Sequence, residues 1–349
     1  MKWLLLAMIT LAMIGLNVRI AGADQARTAQ AEAILKWPAG LPVYDHVVIV
    51  VEENKHYVQI IGNPAADYLN KVLKKEGANF TRAYAEEHFS EGNYFWLFSG
   101  DNQNVGYLDR IPSKWNNSAY PFTSANLGQQ LIAKGLSFKG YAESLPVIGF
   151  SGDGKGLYAR KHVPWISFAN VPNGATPATS SNLRFADFPR NPADYHTHTL
   201  PTVAFVIPNQ GNDMHNGPSD KSIPAGDAWL KQYLDPYYQW AKQHNSLLIV
   251  TFDETNDKGG HFGLTDPQAC AAGREKCSVL QNRIVTIFAG AHIRPGDYPE
   301  GKGITHVNIL RTLEAMYGLI RAGRQQAKAA AAGIADDYII TDVFSSAQH

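Results

Sequence analysis

The stretch VVIVVEENKHY, residues 47–57, decides how the rest of the chain is read. Val47 to Val51 is an unbroken apolar, largely β-branched run, the pattern of a strand covered on both faces, as in a parallel sheet packed between helices. The run stops at Glu52, Glu53 and Asn54. Side chains alternate across a strand, so Glu52 and Glu53 point to opposite faces. If Glu53 turns into a crevice, Glu52 is expected to turn away and serve solubility or a salt bridge.

Outward from this strand, apolar runs alternate with amphipathic ones. HVVIVV is followed by PAADYLNKVLKKEG, in which Leu69, Val72 and Leu73 share a helical face and Gly77 follows as a stop. LSFKGYA follows NLGQQLIAKG; TVAFVIP precedes AGDAWLKQYLDPYYQWAKQ; SLLIVTF comes next; RIVTIFAG precedes THVNILRTLEAMYGL. This order predicts an α/β fold with a mostly parallel central sheet and helices on both faces, a three-layer sandwich. Two regions break the pattern, Leu108 to Ser124 and the Pro, Asn and Ser-rich stretch from Gly149 to Pro201. Irregular insertions of that length are expected to shape a pocket or lid rather than a core. No internal repeat is seen, and the Ala-rich run Gln326 to Ala332 is the one biased segment.

The 349 residues are 45% hydrophobic and 18% charged, which places the chain among globular proteins and not among disordered ones. Residues 1–23 read as a secretory signal, with Lys2 at the start, an apolar core from Trp3 to Leu16 and the small residues Ala21-Gly22-Ala23 at the cleavage site. A retained membrane anchor is the alternative, but Asn17 and Arg19 interrupt the run short of the ~20 apolar residues a span needs. Residues 24–42 read as a linker, and 43–349 as a single domain with an insertion at about 149–201. Loss of the signal leaves 29 basic and 31 acidic residues, which gives no electrostatic reason to expect nucleic acid as a partner. No stable membrane span is expected after cleavage, and the location is expected to be secreted or periplasmic. There, Cys270 and Cys277 are expected to form a disulfide across a short loop, with two unpaired thiols as the alternative.

In open parallel sheets ligands bind beyond the carboxyl ends of the strands. Those ends deliver Glu52, Glu53 and Asn54; then Asn209, Asp213 and His215 from NQGNDMHNGP; then Asp253 and Glu254, with His261 after a Gly-Gly turn. Converging carboxylates raise one another's pKa unless a cation neutralises them. Carboxylate and amide oxygens suit Mg²⁺, Ca²⁺ or Mn²⁺ better than Zn²⁺, although histidines at the rim leave Zn²⁺ open. Asp213 reads either as a ligand or as a support for His215.

EEHFSEGNYFWLFSGDN offers a nucleophile, because Ser90 precedes a helix whose free N–H groups attract an anion. From position alone a plain helix cap is the better reading. His88 and His306 read as structural, His196-x-His198 as a surface pair without matched partners, and Trp229, Tyr233, Tyr237 and Trp240 as a packing stripe at helical spacing.

HVVIVVEENKHYVQIIGN, HFSEGNYFWLFSG, LPTVAFVIPNQGNDMHNG, GDAWL, LLIVTFDET and ITHVNILRTLEAMYGL occur in the order of the motifs of a known family. From Asp45 to Leu319 the chain resembles the bacterial and fungal phosphoesterases, which include acid phosphatases and phosphatidylinositol-3-phosphatase-like proteins, with phospholipases C more distant. The resemblance implies an alkaline-phosphatase-like fold and metal-assisted hydrolysis of phosphate esters. By position, Glu53 and Asn54 match the family's Glu-Asn pair at the metal, and Asp253 and Glu254 its later acidic pair. Ser90 matches the nucleophile, which also binds the metal, Asn93 a phosphate contact, and His215 and His261 the histidines that bind phosphate or protonate the leaving group. Phe89 departs from the family, many of whose members have Pro there.

These expectations describe a secreted acid phosphatase that cleaves phosphate monoesters, on a phosphorylated small molecule or lipid headgroup, through a phosphoserine. A phospholipase C or other phosphodiesterase shares the same groups but needs room for a second ester. A periplasmic protein that only binds phosphate esters is the reading from another class, and it expects Ser90 to lie far from Glu53 and Asp253.

Overall fold

The computed structural model describes residues 37–345 except 39, 106–108, 110, 115–116, 196–198 and 257–278. Residues 1–23, read above as a signal, and His196, His198, His261, Cys270 and Cys277 therefore lie outside the described residues.

His46–Glu52 forms strand β1, buried along its whole length. It lies centrally in an eight-stranded sheet of order β10-β2-β9-β7-β1-β6-β4-β5. The members are β2 (Ala78–Phe80), β4 (Phe138–Ala142), β5 (Asn182–Arg184), β6 (Val203–Ile207), β7 (Ser246–Phe252), β9 (Thr286–Gly290) and β10 (Gly296–Tyr298). β1 pairs in parallel with β6 on one side and β7 on the other, with Ile49 opposite Phe205 and Ile249. β9 runs against both β7 and β2, so RIVTIFAG supplies the one reversed strand of an otherwise parallel sheet. Short strands β3 (Ala83–Tyr84), β8 (Arg283–Ile284) and β11 (Ile304–Thr305) make a separate three-stranded sheet.

Four longer helices are α1 (Ser90–Ser99), α2 (Leu127–Ala133), α3 (Ser219–Ala241) and α4 (His306–Met316). Phe138 and Tyr141 of β4 are three residues apart and face opposite sides of the sheet. Phe138 meets Phe98 of α1, with ring centroids 5.3 Å apart. Tyr141 meets Phe188, which in turn meets Tyr237 of α3. Helices thus cover both faces, and the register of Ile49 with Phe205, itself against Phe98, puts Val47, Ile49, Val51 and Glu53 on the α1 side. Glu52 falls on the other.

The 149–201 stretch does more than shape a lid. Trp165, Phe168, Phe185 and Phe188 are buried core residues, and β5 extends the sheet at its edge beside β4. Gly140 of β4 is needed there, because a Cβ would sit 2.1 Å from the Trp165 ring. Spaced aromatics in a Pro-rich run carry no strand or helix period, so the sequence hides their burial.

Candidate active site

Ser90 is the first residue of α1, and Phe89 takes the position before it with φ 82 and ψ 118. A positive φ is unusual for a bulky residue and marks backbone held by its surroundings. Here the Phe89 N–H and His88 Nδ1 bind the same Glu254 Oε2, at 2.9 and 2.8 Å. Proline has no N–H and a fixed negative φ, so this loop cannot take the proline that the resemblance leads one to expect without changing shape. Ser90 is not the helix cap. Its Oγ donates to Glu53 Oε2 at 3.0 Å and lies 3.5 Å from Glu254 Oε1.

The two strand ends meet around this hydroxyl. Asn54, at φ 43, donates its N–H to Asp253 Oδ1 at 2.8 Å and its side-chain amide to Glu254 Oε1 at 2.9 Å. Asp253 Oδ1 also accepts from the Glu254 N–H. Tyr94, one turn along α1, donates to Glu53 Oε1 at 2.6 Å. The opposing loop joins through the Glu53 N–H, bonded to the Asp213 carbonyl, while Asp213 Oδ1 accepts from the His215 N–H.

Burial, followed by the neighbouring Asp253 charge, pushes the Glu53 carboxyl well above its ordinary range. Burial also raises Asp253, and brings Asp213 and Glu254 to about 7, the latter against the lowering pull of His88. Among the described residues no three His, Cys, Asp or Glu side chains form a metal cluster by themselves. The group that converges is mixed, carboxylates with an amide and a hydroxyl. Asn54 Oδ1, Asp253 Oδ2 and Asp213 Oδ2 are buried without a hydrogen-bond partner. Orphaned oxygens beside repelling carboxylates are costly unless something positive meets them, so this donor set fits a hard divalent cation.

Ser90 opens into a cavity of about 570 Å³ lined by Asn54, His88, Asp109, Lys161, His215 and Glu254 among others. His215 sits exposed on its wall, with Nδ1 2.9 Å from Asn216 Oδ1. Lys161 Nζ binds Asp109 Oδ2 at 2.6 Å. Burial alone would lower the Lys161 pKa, but Glu53 and Asp109 outweigh it and keep the ammonium charged. His162 stacks on Tyr94 at 5.1 Å and stands 3.1 Å from Glu53 Oε1, with burial holding it neutral. Lys161 and His162 were not legible as site residues, since only the fold brings 149–201 back to β1; Asp109 comes from the other irregular stretch, and Tyr94, although inside the HFSEGNY motif, shows its bond to Glu53 only in the folded chain. His88, read as structural, lines the cavity and orients Glu254.

Two expectations are corrected. Glu52 does point away from Glu53, but it serves neither solubility nor a salt bridge: it is 0% exposed and both carboxylate oxygens lack partners. Burial, then the Asp213, Asp227 and Glu143 charges, raises its pKa well above the ordinary value, which favours the neutral acid. Asn93 is buried away from the cavity, its amide accepting from the Glu87 N–H at 3.1 Å and donating to the Glu87 carbonyl at 2.7 Å. With both ends of its amide occupied, it shapes the loop before Ser90 instead of contacting phosphate.

The other residues keep structural places. His306 is buried between Glu86 and the Phe252 carbonyl, and Trp229 and Tyr237 pack in the core with Tyr233 and Trp240 at its margin.

The phosphoesterase family model matches residues 65–320. The chain belongs to the phosphoesterase family. A phosphatidylinositol-3-phosphatase from Mycobacterium tuberculosis is 44% identical over 285 residues, 82% of this chain and 81% of that protein. A probable acid phosphatase from Kluyveromyces lactis is 28% identical over 293 residues, 80% of this chain and 60% of that protein. A crystal structure of an alkaline phosphatase superfamily protein from Vibrio parahaemolyticus has a TM-score of 0.53 at 13% identity, covering 86% of this chain and 73% of that one. That likeness carries the fold. As a phosphoesterase, the chain is a hydrolase acting on phosphoric esters. Among the described residues no helix is long and apolar enough to cross a membrane.

Proposed function

We propose that this phosphoesterase is an exported acid phosphatase that cleaves phosphate monoesters, phosphoinositide headgroups among them, through a phosphoserine at Ser90. The observation that carries the reading is the Ser90 hydroxyl on the cavity wall, 3.0 Å from Glu53 Oε2 at the start of α1. A protein that only binds phosphate esters has no use for a serine packed into a carboxylate ring.

Glu53, Asn54, Asp253 and Glu254, with Ser90 Oγ, would hold a divalent cation. When bound, such a cation lowers the hydroxyl pKa and offsets phosphate charge. Ser90 Oγ gives its proton to Glu53 Oε2, 3.0 Å away, attacks phosphorus and forms an O–P bond as the bond to the alcohol breaks. His215, when protonated, donates a proton to the departing alcohol. His261 is assigned the same kind of role by its motif alone. The N-terminal amides of α1 face the phosphate oxygens as charge moves onto them. Water then attacks phosphorus, the Ser90 O–P bond breaks, and inorganic phosphate leaves. Tyr94 fixes Glu53, with the His162 ring stacked behind it, while His88 and Phe89 fix Glu254.

The 44% identical phosphatidylinositol-3-phosphatase supports a lipid-headgroup substrate. The test is turnover of a chromogenic phosphate monoester by Ser90→Ala. Loss of several orders of magnitude is expected, and wild-type turnover would refute the nucleophile.

A further inference from the structure

One divalent cation carries less charge than Glu53, Asp253 and Glu254 together when ionised, so the dianion of a phosphate monoester still gains from a further cation on the solvent side. Lys55 and Lys161 are the lysines that line the cavity. Lys55 Nζ is turned to the Asn54 carbonyl, 3.3 Å away, and its side chain is buried. Lys161 keeps 25% of its side chain exposed, and its direction is fixed from both sides. Arg160 before it is buried and donates to Ser167 Oγ, and His162 after it is buried against Tyr94.

The partner of Lys161 is informative. Asp109 Oδ2 takes the 2.6 Å bond from Lys161 Nζ, and Asp109 Oδ1 accepts from the Glu91 N–H at 3.1 Å. Glu91 follows Ser90, so one carboxylate bridges the ammonium and an amide of the α1 N-terminus next to the nucleophile. A carboxylate offers donors the same kind of paired anionic oxygens that a phosphate does. An ammonium has three donors, and the Asp109 bond uses one.

We infer that Lys161 binds the non-bridging oxygens of the substrate phosphate, that Asp109 competes for the same donors, and that this ammonium selects monoester dianions over diester monoanions. The inference rests on Ser90 as the reacting group. A dianion carries twice the charge of a diester monoanion, so it gains more from the Lys161 ammonium and loses more binding without it.

Binding of inorganic phosphate, measured by calorimetry in Mg²⁺ on a Ser90→Ala background, separates this from the chemistry. Adding Lys161→Met should weaken binding by about 10- to 100-fold, the size of a charged hydrogen bond. Lys161→Arg should recover most of it, and Asp109→Asn should tighten binding by removing the competitor. In the enzyme with Ser90 intact, Lys161→Met should lower kcat/KM for a monoester more than for a diester. Unchanged phosphate binding in Lys161→Met, weaker binding in Asp109→Asn, or equal losses on both esters would overturn the inference. Asp109→Asn decides the matter should Lys161→Met fail to fold. Because phosphate binding needs no turnover, these outcomes stand apart from any failure of Ser90 as nucleophile.

Discussion

The Tyr94 hydroxyl donates a 2.6 Å hydrogen bond to Glu53 Oε1, one helical turn beyond the serine that reaches the carboxylate's other oxygen. Tyr94→Phe removes that donor and leaves Glu53 Oε1 with the neighbouring His162 ring, 3.1 Å away. Thermal or urea unfolding should show a loss of about 1–3 kcal/mol, the cost of a buried acceptor without its donor. A freed Glu53 also misplaces Ser90, so kcat should fall by roughly tenfold, equivalent to about 1.4 kcal/mol.

Stability in the absence of divalent ions should fall as pH rises through the site's elevated carboxyl pKa values. Glu254 and Asp213 are raised to about 7 by burial, above their ordinary values of 4.5 and 3.8. A raised folded pKa favours the protonated, folded form, so the stabilisation is complete below the ordinary value and is lost as pH climbs through about 7. Melting in chelator should therefore give a higher Tm at pH 5 than at pH 8. If these carboxylates hold a cation, added Mg²⁺, Mn²⁺ or Ca²⁺ should raise Tm more at pH 8, where they are ionised. A Tm indifferent to all three ions at pH 8 would count against the cation.

His306 and Glu86 form a buried pair behind the site, Nδ1 to Oε2 at 2.7 Å, while His306 Nε2 meets the Phe252 carbonyl at 2.8 Å. Glu86 also receives the Val307 N–H, so the pair ties the start of α4 to the end of β7 and the loop leading to Ser90. His306→Ala takes the charged partner from a buried carboxylate and leaves it only the Val307 N–H, and unfolding should show a loss of about 3–5 kcal/mol.

Phe89 is a local test of the nucleophile loop. Phe89→Gly keeps the N–H to Glu254 and adopts positive φ freely, so activity should stay near wild type. Phe89→Pro removes the donor and forces φ negative, and kcat should drop sharply. Equal activity in the two variants would show that the backbone before Ser90 does not position Glu254.

The layers of the fold and the convergence of both acidic strand ends were legible because each is a local pattern. A continuous β-branched run followed by Glu53 and Asn54, or by Asp253 and Glu254, states burial and exit together. Strand alternation separated Glu53 from Glu52 correctly, but it says nothing of what lies beyond the second face, so the burial of Glu52 was missed. Asn93 failed for a similar reason: its motif position is one turn from Ser90, and only the loop path shows that Glu87 uses its amide. Lys161 and His162 lie in a stretch without periodicity. Their place follows from tertiary folding alone.

The most direct measurement is acid quenching of the enzyme during turnover of a radiolabelled phosphate monoester, followed by mapping of the labelled peptide. The account expects label on Ser90, absent in Ser90→Ala together with turnover. Wild-type turnover in Ser90→Ala, or label on another residue, would contradict it.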